Sequence, residues 1–303
     1  MRFVAVLNRD GGTLRTTDLE AFSTRMREIL EQAGHSVEIR VVAGDEIVDA
    51  LDKAAATRSA DVVLVGGGDG TTSAAAGRLM NGKKALAVLP AGTMNLFARS
   101  LGIPQTLEGA LAAFAEGEIK AVDVASANGR PFVHQFSIGM HAKMIHLRSK
   151  MEFGSRLGKM RASLTAAWRT IRNPPAMDVA LTIGEAEVLT RTSGIGITNN
   201  LLGEGHLPYA DHPDGGVLGI YVTLARERRE LFHFFLNMAR GKWRENEQVE
   251  IHQAEKVKLT IRNMRSKFIS AIDGELCKLD RQTLIEIHPK SLLVLVPKPS
   301  EPE

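Results

Sequence analysis

Residues 63–79 read VLVGGGDGTTSAAAGRL. An apolar run closes on three glycines, an aspartate, a fourth glycine and two threonines, and an alanine-rich segment follows. Such a run reads as a buried strand and the segment after it as a helix. A turn directly after a buried parallel strand lies at the carboxyl edge of its sheet, where open α/β folds bind ligands. Glycine lets backbone N–H groups approach an anion, and the next helix N-terminus adds positive potential. Gly66, Gly67, Gly68, Asp69, Gly70, Thr71 and Thr72 therefore read as a phosphate cradle. It is no Walker loop, because no Gly-Lys-Ser/Thr follows, and Thr71 stands where a dinucleotide fingerprint needs its third glycine. Asp69 would repel a phosphate unless it binds a metal or accepts a proton. That points to Mg-ATP and phosphoryl transfer. The plain alternative is a tight turn with a solvated aspartate.

Working outward, strands and helices alternate. FVAVL (3–7) reads as strand one, and Leu19, Phe22, Met26, Ile29, Leu30 and Ala33 follow at helical spacing. Thr17–Glu20 fits a capping box, and Gly34 fits a helix stop. Strands VEIRVV (37–42), DVVLVG (61–66) and ALAVLP (85–90) come next, with helices over about 45–57, after the glycines, and over 93–101. This alternation means a parallel sheet with helices on both faces. Two more turns resemble the glycine turn in kind: Asn8 to Gly12 after strand one, and Pro90 to Asn95, with Thr93 inside it, after strand four.

From about residue 122 the pattern becomes strands without regular helices between them: VDVASAN, PFVHQFSIG, DVALTIG, EVLTRTSGIGITN, GVLGIYVTL, VKLTIR, FISAIDGE, TLIEIHP and LLVLVP. This reads as an antiparallel β domain interrupted by helices near 155–173 and 227–241. The expected division is 1–122 and 123–303, with the last strand free to return to the first domain. IDGE (272–275) is ordinary hairpin chemistry, or else Asp273 or Glu275 is a general base for an attacking hydroxyl.

Composition sets the limits. The 303 residues carry 24% charged and 44% hydrophobic residues and a net charge of +3, so this is a globular chain with too little basic excess to argue for nucleic acid. Cys277 is the single cysteine, which excludes an internal disulfide and fits a reducing compartment. It reads as a small buried residue more readily than as a nucleophile. The N-terminus lacks a signal-peptide pattern, and no stretch approaches the ~20 apolar residues of a membrane span. The nine histidines show no HExxH spacing, so zinc is not expected. Residues 143–172 hold eight Lys or Arg and one acid, Glu152, among apolar residues that include Trp168. That stretch reads either as a surface for an anionic bilayer or as a solvated basic face. Phe232, Phe234, Phe235 and Trp243, with arginines nearby, form a weaker second candidate.

Taken together, GGGDGT (66–71), LPAGTMNLFARSLGIP (89–104), FSIGMHA (136–142), ITNN with GEGHLPYADHPDGGVLGIYV (197–222), IDGE and HPKSLLVLVP resemble the bacterial lipid-kinase branch of the diacylglycerol kinase catalytic family. GGDGT alone is shared with NAD kinases. The resemblance covers nearly the whole chain. It implies a Rossmann-like α/β nucleotide domain, then a β-sandwich lipid-substrate domain, with the site in the cleft between. It implies that Gly66–Thr72 and Thr93 hold ATP and that Asn8 to Gly12 border it. Asp69 would take part in Mg-ATP binding, Glu275 would accept the lipid hydroxyl's proton, and Asp214, with main-chain oxygens of Asp211 and Gly216, would bind a second Mg²⁺. The expected reaction converts diacylglycerol to phosphatidic acid at the inner face of the cytoplasmic membrane. Sphingoid bases, ceramide, phosphatidylglycerol, an NAD kinase-like activity and a non-catalytic nucleotide or lipid binding module are the alternatives. Oligomeric state stays open, a homodimer included. Ser73-Ala74, Arg9, Ala43 and His141 depart from the family pattern.

Overall fold

The structure is a computed structural model. It describes residues 1–150, 165–225, 227–239, 241, 246–265 and 268–298. The chain divides into two compact units, one of residues 1–124, 212–214 and 288 onward, the other of 125–211 and 215–287.

In the first unit, β1 (Arg2–Asn8), β2 (Ser36–Val42), β3 (Val62–Gly67) and β4 (Ala85–Pro90) lie side by side as β2-β1-β3-β4. All three pairings are parallel. Every residue of β3 and β4 is buried. That two-sided burial is why these strands read as unbroken apolar runs. Between them run α1 (Leu19–Gln32), α2 (Ile47–Ala56) and α3 (Asp69–Leu79), and α4 (Leu96–Ser100) and α5 (Leu107–Ala115) follow β4. Helix α1 buries Phe22, Met26 and Leu30, its i, i+4, i+8 stripe. Its cap is not the box expected at Thr17: Asp18 accepts from the Glu20 and Ala21 N–H groups, while the Thr17 hydroxyl donates to Thr13 O.

The unit is completed by distant segments. Val294 of β16 (Gln282–Val296) pairs in parallel with Leu86. Asp123, fully buried in β5 (Glu118–Ala127), explains how. Its Oδ1 accepts from Lys290 N at 2.8 Å, and its own N–H donates to Pro213 O at 2.9 Å. One carboxylate and its backbone thus tie two returning strands of chain to the first unit.

The second unit is built on two antiparallel sheets. One orders β12 (Val249–Ala254), β11 (Leu218–Thr223), β10 (Gly194–Asn199), β7 (Gln135–Gly139), β14 (Ile269–Ile272) and β15 (Glu275–Lys278). The other joins the start of β16 to β13 (Lys256–Ile261), β8 (Met177–Ile183) and β9 (Ala186–Thr192), and β6 (Arg130–Phe132) pairs with the end of β5. A core of Phe132, Phe136, Ile138, Leu181, Ile197, Ile220, Leu259 and Ile285 is shared by strands of both sheets, the mark of a sandwich. A smaller cluster of Met140, Ile171, Ala225, Leu231 and Phe234 joins α6 (Met140–Ser149), α7 (165–172 of the described residues) and α8 (Arg228–Ala239). Helix α6 precedes the helix expected near 155–173 and overlaps the basic stretch that starts at residue 143.

Two long expected strands break. PFVHQFSIG splits into β6 and β7 because the N–H groups of Val133, His134 and Gln135 go to the Asp273 carboxylate. EVLTRTSGIGITN splits at Ser193, whose hydroxyl donates to Ala225 O, so β9 and β10 enter different sheets. The reverse holds at the C-terminus, where TLIEIHP and LLVLVP form one strand.

Candidate active site

In the first unit the turns after all four parallel strands are laced together. After β1, Asn8 Oδ1 accepts from Asp10 N at 3.0 Å, and Asp10 Oδ2 accepts from Gly44 N at 2.8 Å, which ties the turn to the one after β2. Thr13 N donates to Ala91 O at 2.7 Å, which ties it to the turn after β4. Gly12 is required there: its φ is +46°, and a Cβ would stand 1.9 Å from Ala91 O.

The glycine turn begins with Gly66 and Gly67 at the end of β3, and Gly68 is the N-cap of α3. A Cβ on Gly66 would meet Leu7, Leu14 and Leu89, and one on Gly67 would meet Thr71. Gly68 faces open space, so its backbone is approachable. The first ladder bond of α3 is Thr72 N to Gly68 O at 3.1 Å, so the N–H groups of Asp69, Gly70 and Thr71 precede the ladder. Thr72 is buried and its hydroxyl turns back to Gly68 O. The result is a backbone cradle at a helix N-terminus, with the chemistry an anion needs.

The fourth turn meets it directly. Asp69 Oδ1 accepts from Leu96 N at 3.1 Å. A Cβ on Gly92 would lie 3.0 Å from Gly68 Cα. Helix α4 starts at Leu96, three residues later than the sequence indicates, because Asn95 is left-handed (φ 49°) with its amide donating to Pro90 O. Thr93 lies exposed in the turn before it. Asp69 thus has a structural task that the sequence did not show: it holds the second loop against the first.

In the second unit, IDGE forms the hairpin of β14 and β15, with Ile272 opposite Glu275. Asp273 (φ 45°) and Gly274 (φ 82°) make a two-residue loop with both residues left-handed. The two acids behave differently. Asp273 is buried, and its carboxylate accepts from Val133 N at 2.9 Å, His134 N at 3.0 Å and Gln135 N at 2.8 Å. Those three bonds commit the Asp273 carboxylate to the backbone of residues 133–135. Glu275 is exposed, and Arg130 Nη2 donates to its Oε2 at 2.9 Å. Arg130 was not singled out in the sequence. Its only signal is its place after an Asn-Gly turn.

His141, in the first turn of α6, lies 2.7 Å from Ser137 Oγ. The residue is exposed. Even so, the protein packed around it penalises the charged form, His134 adds repulsion, and its pKa is pushed down to about 4. The residues expected to bind a second Mg²⁺ are exposed Asp211 and Asp214, and Gly216, which is left-handed (φ 73°). The Asp211 side chain lies with its Oδ1 2.8 Å from His206 Nε2, while the expected ligand is its main-chain oxygen. Among the described residues no group of three or more His, Cys, Asp or Glu side chains could hold a metal.

The model of the diacylglycerol kinase catalytic domain matches residues 2–127, and that of the YegS C-terminal NAD kinase beta sandwich-like domain matches 135–296. The chain belongs to the diacylglycerol kinase catalytic family, in its bacterial branch. It is a lipid kinase. A diacylglycerol kinase of Staphylococcus saprophyticus is 24% identical over 81% of this chain and 82% of its own length. One from Staphylococcus aureus is 26% identical over 76% of this chain and 74% of its own. An uncharacterised Synechocystis protein is 28% identical over 78% of this chain, which spans about half (54%) of that relative's length. Among solved structures, a diacylglycerol kinase of Bacillus anthracis superposes with a TM-score of 0.73 at 20% identity, covering 98% of this chain and 97% of its own. Another chain from that organism gives 0.78 at 22% identity, covering 98% and 95%. At these identities the structures speak for the fold of this lipid kinase.

Basic residues 143–150 and 165–172 lie on α6 and α7, while 151–164 of the candidate membrane stretch, with Arg226 and Trp243 of the second one, lie outside the described residues. Helix α7 turns Ala166, Thr170 and Ile171 inward and Trp168, Arg169 and Arg172 outward. On α8, Leu231 and Phe234 are buried, while Arg229, Phe232 and His233 are exposed. No helix among the described residues is long and apolar enough to cross a membrane.

Proposed function

We propose that this kinase transfers the γ-phosphoryl group of Mg-ATP to a lipid hydroxyl, with diacylglycerol as acceptor and phosphatidic acid as product. The observation that supports the reading is the difference in burial and bonding between the two acids of IDGE. The buried carboxylate of Asp273 fixes the hairpin tip, and the exposed carboxylate of Glu275 is left to accept the hydroxyl's proton. The residues of the glycine turn suit a nucleoside triphosphate: Gly68 opens to space, Gly12 and Gly92 let the flanking turns close in, and the start of α3 offers its N–H groups. They also suit Mg²⁺ carried on phosphates, which needs one or two carboxylates and no protein cage. Asp69 is the carboxylate at that place. When bound, the ion neutralises charge on the phosphoryl oxygens.

Trp168, Phe232, Arg169, Arg172 and Arg229 support peripheral contact with an anionic bilayer, since exposed aromatic and basic side chains suit its interface. The test is incubation with Mg²⁺, γ-labelled ATP and micelles of a total lipid extract, beside Glu275→Gln and Asp69→Asn. Label in the organic phase that is lost in both variants supports the reaction. The labelled lipid then separates diacylglycerol from a sphingoid, ceramide or phosphatidylglycerol acceptor. Nucleotide binding without organic-phase label refutes it.

A further inference from the structure

We propose that Arg130 is a positioning residue for Glu275, an inference that rests on Glu275 being the proton acceptor. The two residues leave the tips of two tight hairpins. The β5–β6 hairpin turns through Asn128 (φ 49°) and Gly129 (φ 78°), and Arg130 is the first residue after it, opposite Ala127. The β14–β15 hairpin turns through Asp273 and Gly274 in the same way, and Glu275 is the first residue after it, opposite Ile272. Both tips are anchored. Asn128 Oδ1 accepts from Leu284 N at 2.8 Å, and its amide donates to Asp280 Oδ2 at 3.0 Å. Asp273 takes the three N–H groups described above.

Glu275 and Cys277 are two apart on β15 and so lie on one face. The Arg130 guanidinium spans them. Its Nη2 donates to Glu275 Oε2 at 2.9 Å and its Nη1 to Cys277 Sγ at 2.9 Å. A planar fork can make both bonds at once, which the single ammonium of lysine cannot do in the same geometry. Glu275 Oε1 has no hydrogen-bond partner among the described residues. One oxygen is held while the other is left to take a proton. The two side chains are 50% and 58% exposed, so the ion pair adds little to folding. Its value is therefore in the orientation of the carboxylate. It also gives Cys277 a task, as the second anchor of the fork rather than a nucleophile.

The experiment compares the full chain with Arg130→Ala, Arg130→Lys and Glu275→Gln. It measures kcat, KM for ATP and for lipid, and the melting temperature, with and without low-millimolar guanidinium. For Arg130→Ala we expect kcat to fall on the order of 10- to 100-fold, the scale of a misplaced catalytic group. Both KM values and the melting temperature should hold, and guanidinium should restore part of kcat. Arg130→Lys should fall between wild type and Arg130→Ala. Wild-type kcat in Arg130→Ala, with Glu275→Gln inactive, overturns the positioning role and leaves the acceptor in place. A loss that follows a lowered melting temperature without rescue overturns it in favour of a structural role. Full activity in Glu275→Gln, or no transfer by wild type, overturns the acceptor reading and this inference with it.

Discussion

Asp273→Asn separates the two acids of IDGE more cleanly than any other change. Asparagine accepts the left-handed φ of 45° at this position. Its Oδ1 can still take the His134 and Gln135 N–H groups, but its amide now faces Val133 N–H, donor against donor. One hydrogen bond to a charged group is lost, worth about 1.5–3 kcal/mol. At roughly 2–4 °C per kcal/mol for a unit of this size, the melting temperature should fall by about 3–12 °C. Asp273→Ala loses all three bonds and places alanine in a left-handed conformation, for a cost on the order of 5 kcal/mol. Thermal unfolding followed by circular dichroism, with kcat measured well below the transition, reads both effects. The expected Asp273→Asn enzyme is less stable but keeps a substantial fraction of its kcat. A variant as stable as wild type, within about 1 °C, with kcat abolished would refute the reasoning and make Asp273 the acceptor.

Three further outcomes follow from the geometry. Gly12→Ala forces a Cβ against Ala91 O at 1.9 Å, so the turn after β1 must move; nucleotide affinity measured by calorimetry should fall at least tenfold (about 1.4 kcal/mol), while Gly34→Ala, with open space around it, should leave affinity unchanged. His141 is held near a pKa of about 4 when folded, so the unfolded chain binds the extra proton between about 4 and the usual 6.5; stability should therefore decline as pH falls through that window, and urea midpoints of His141→Gln should show a shallower decline. Trp168→Ala and Phe232→Ala should weaken sedimentation with phosphatidylglycerol-containing vesicles without changing nucleotide affinity, and unchanged sedimentation would remove that surface.

The α/β part was legible because its strands are buried on both faces. Val62–Gly67 and Ala85–Pro90 are wholly buried, so local composition already carries the element and its place. The sandwich was legible as strands but not as sheets. Alternation says that a strand has an inner and an outer face; it does not say which sheet receives it, and β9 and β10 part at Ser193 for bonds to residues some thirty positions away. The start of α4 was misplaced for the same reason, since Asn95 is held left-handed by contacts across the turn.

At the site, the sequence by itself determined the chemistry: glycines at the end of a buried strand, an acid within them, and an acid pair at a hairpin tip are local patterns, set by short-range sterics and by the needs of a phosphate and a proton. Only the tertiary structure decided how the two acids are placed. Asp273 and Glu275 are two residues apart and alike in chemistry, and what distinguishes them is the backbone of 133–135 folded onto one and the guanidinium of Arg130 onto the other. The Asp69 link to Leu96 and the Asp123 link to Lys290 are of the same kind. Each joins residues far apart in the chain, and a hydrogen bond across such a separation exists only once the core has brought its two ends together.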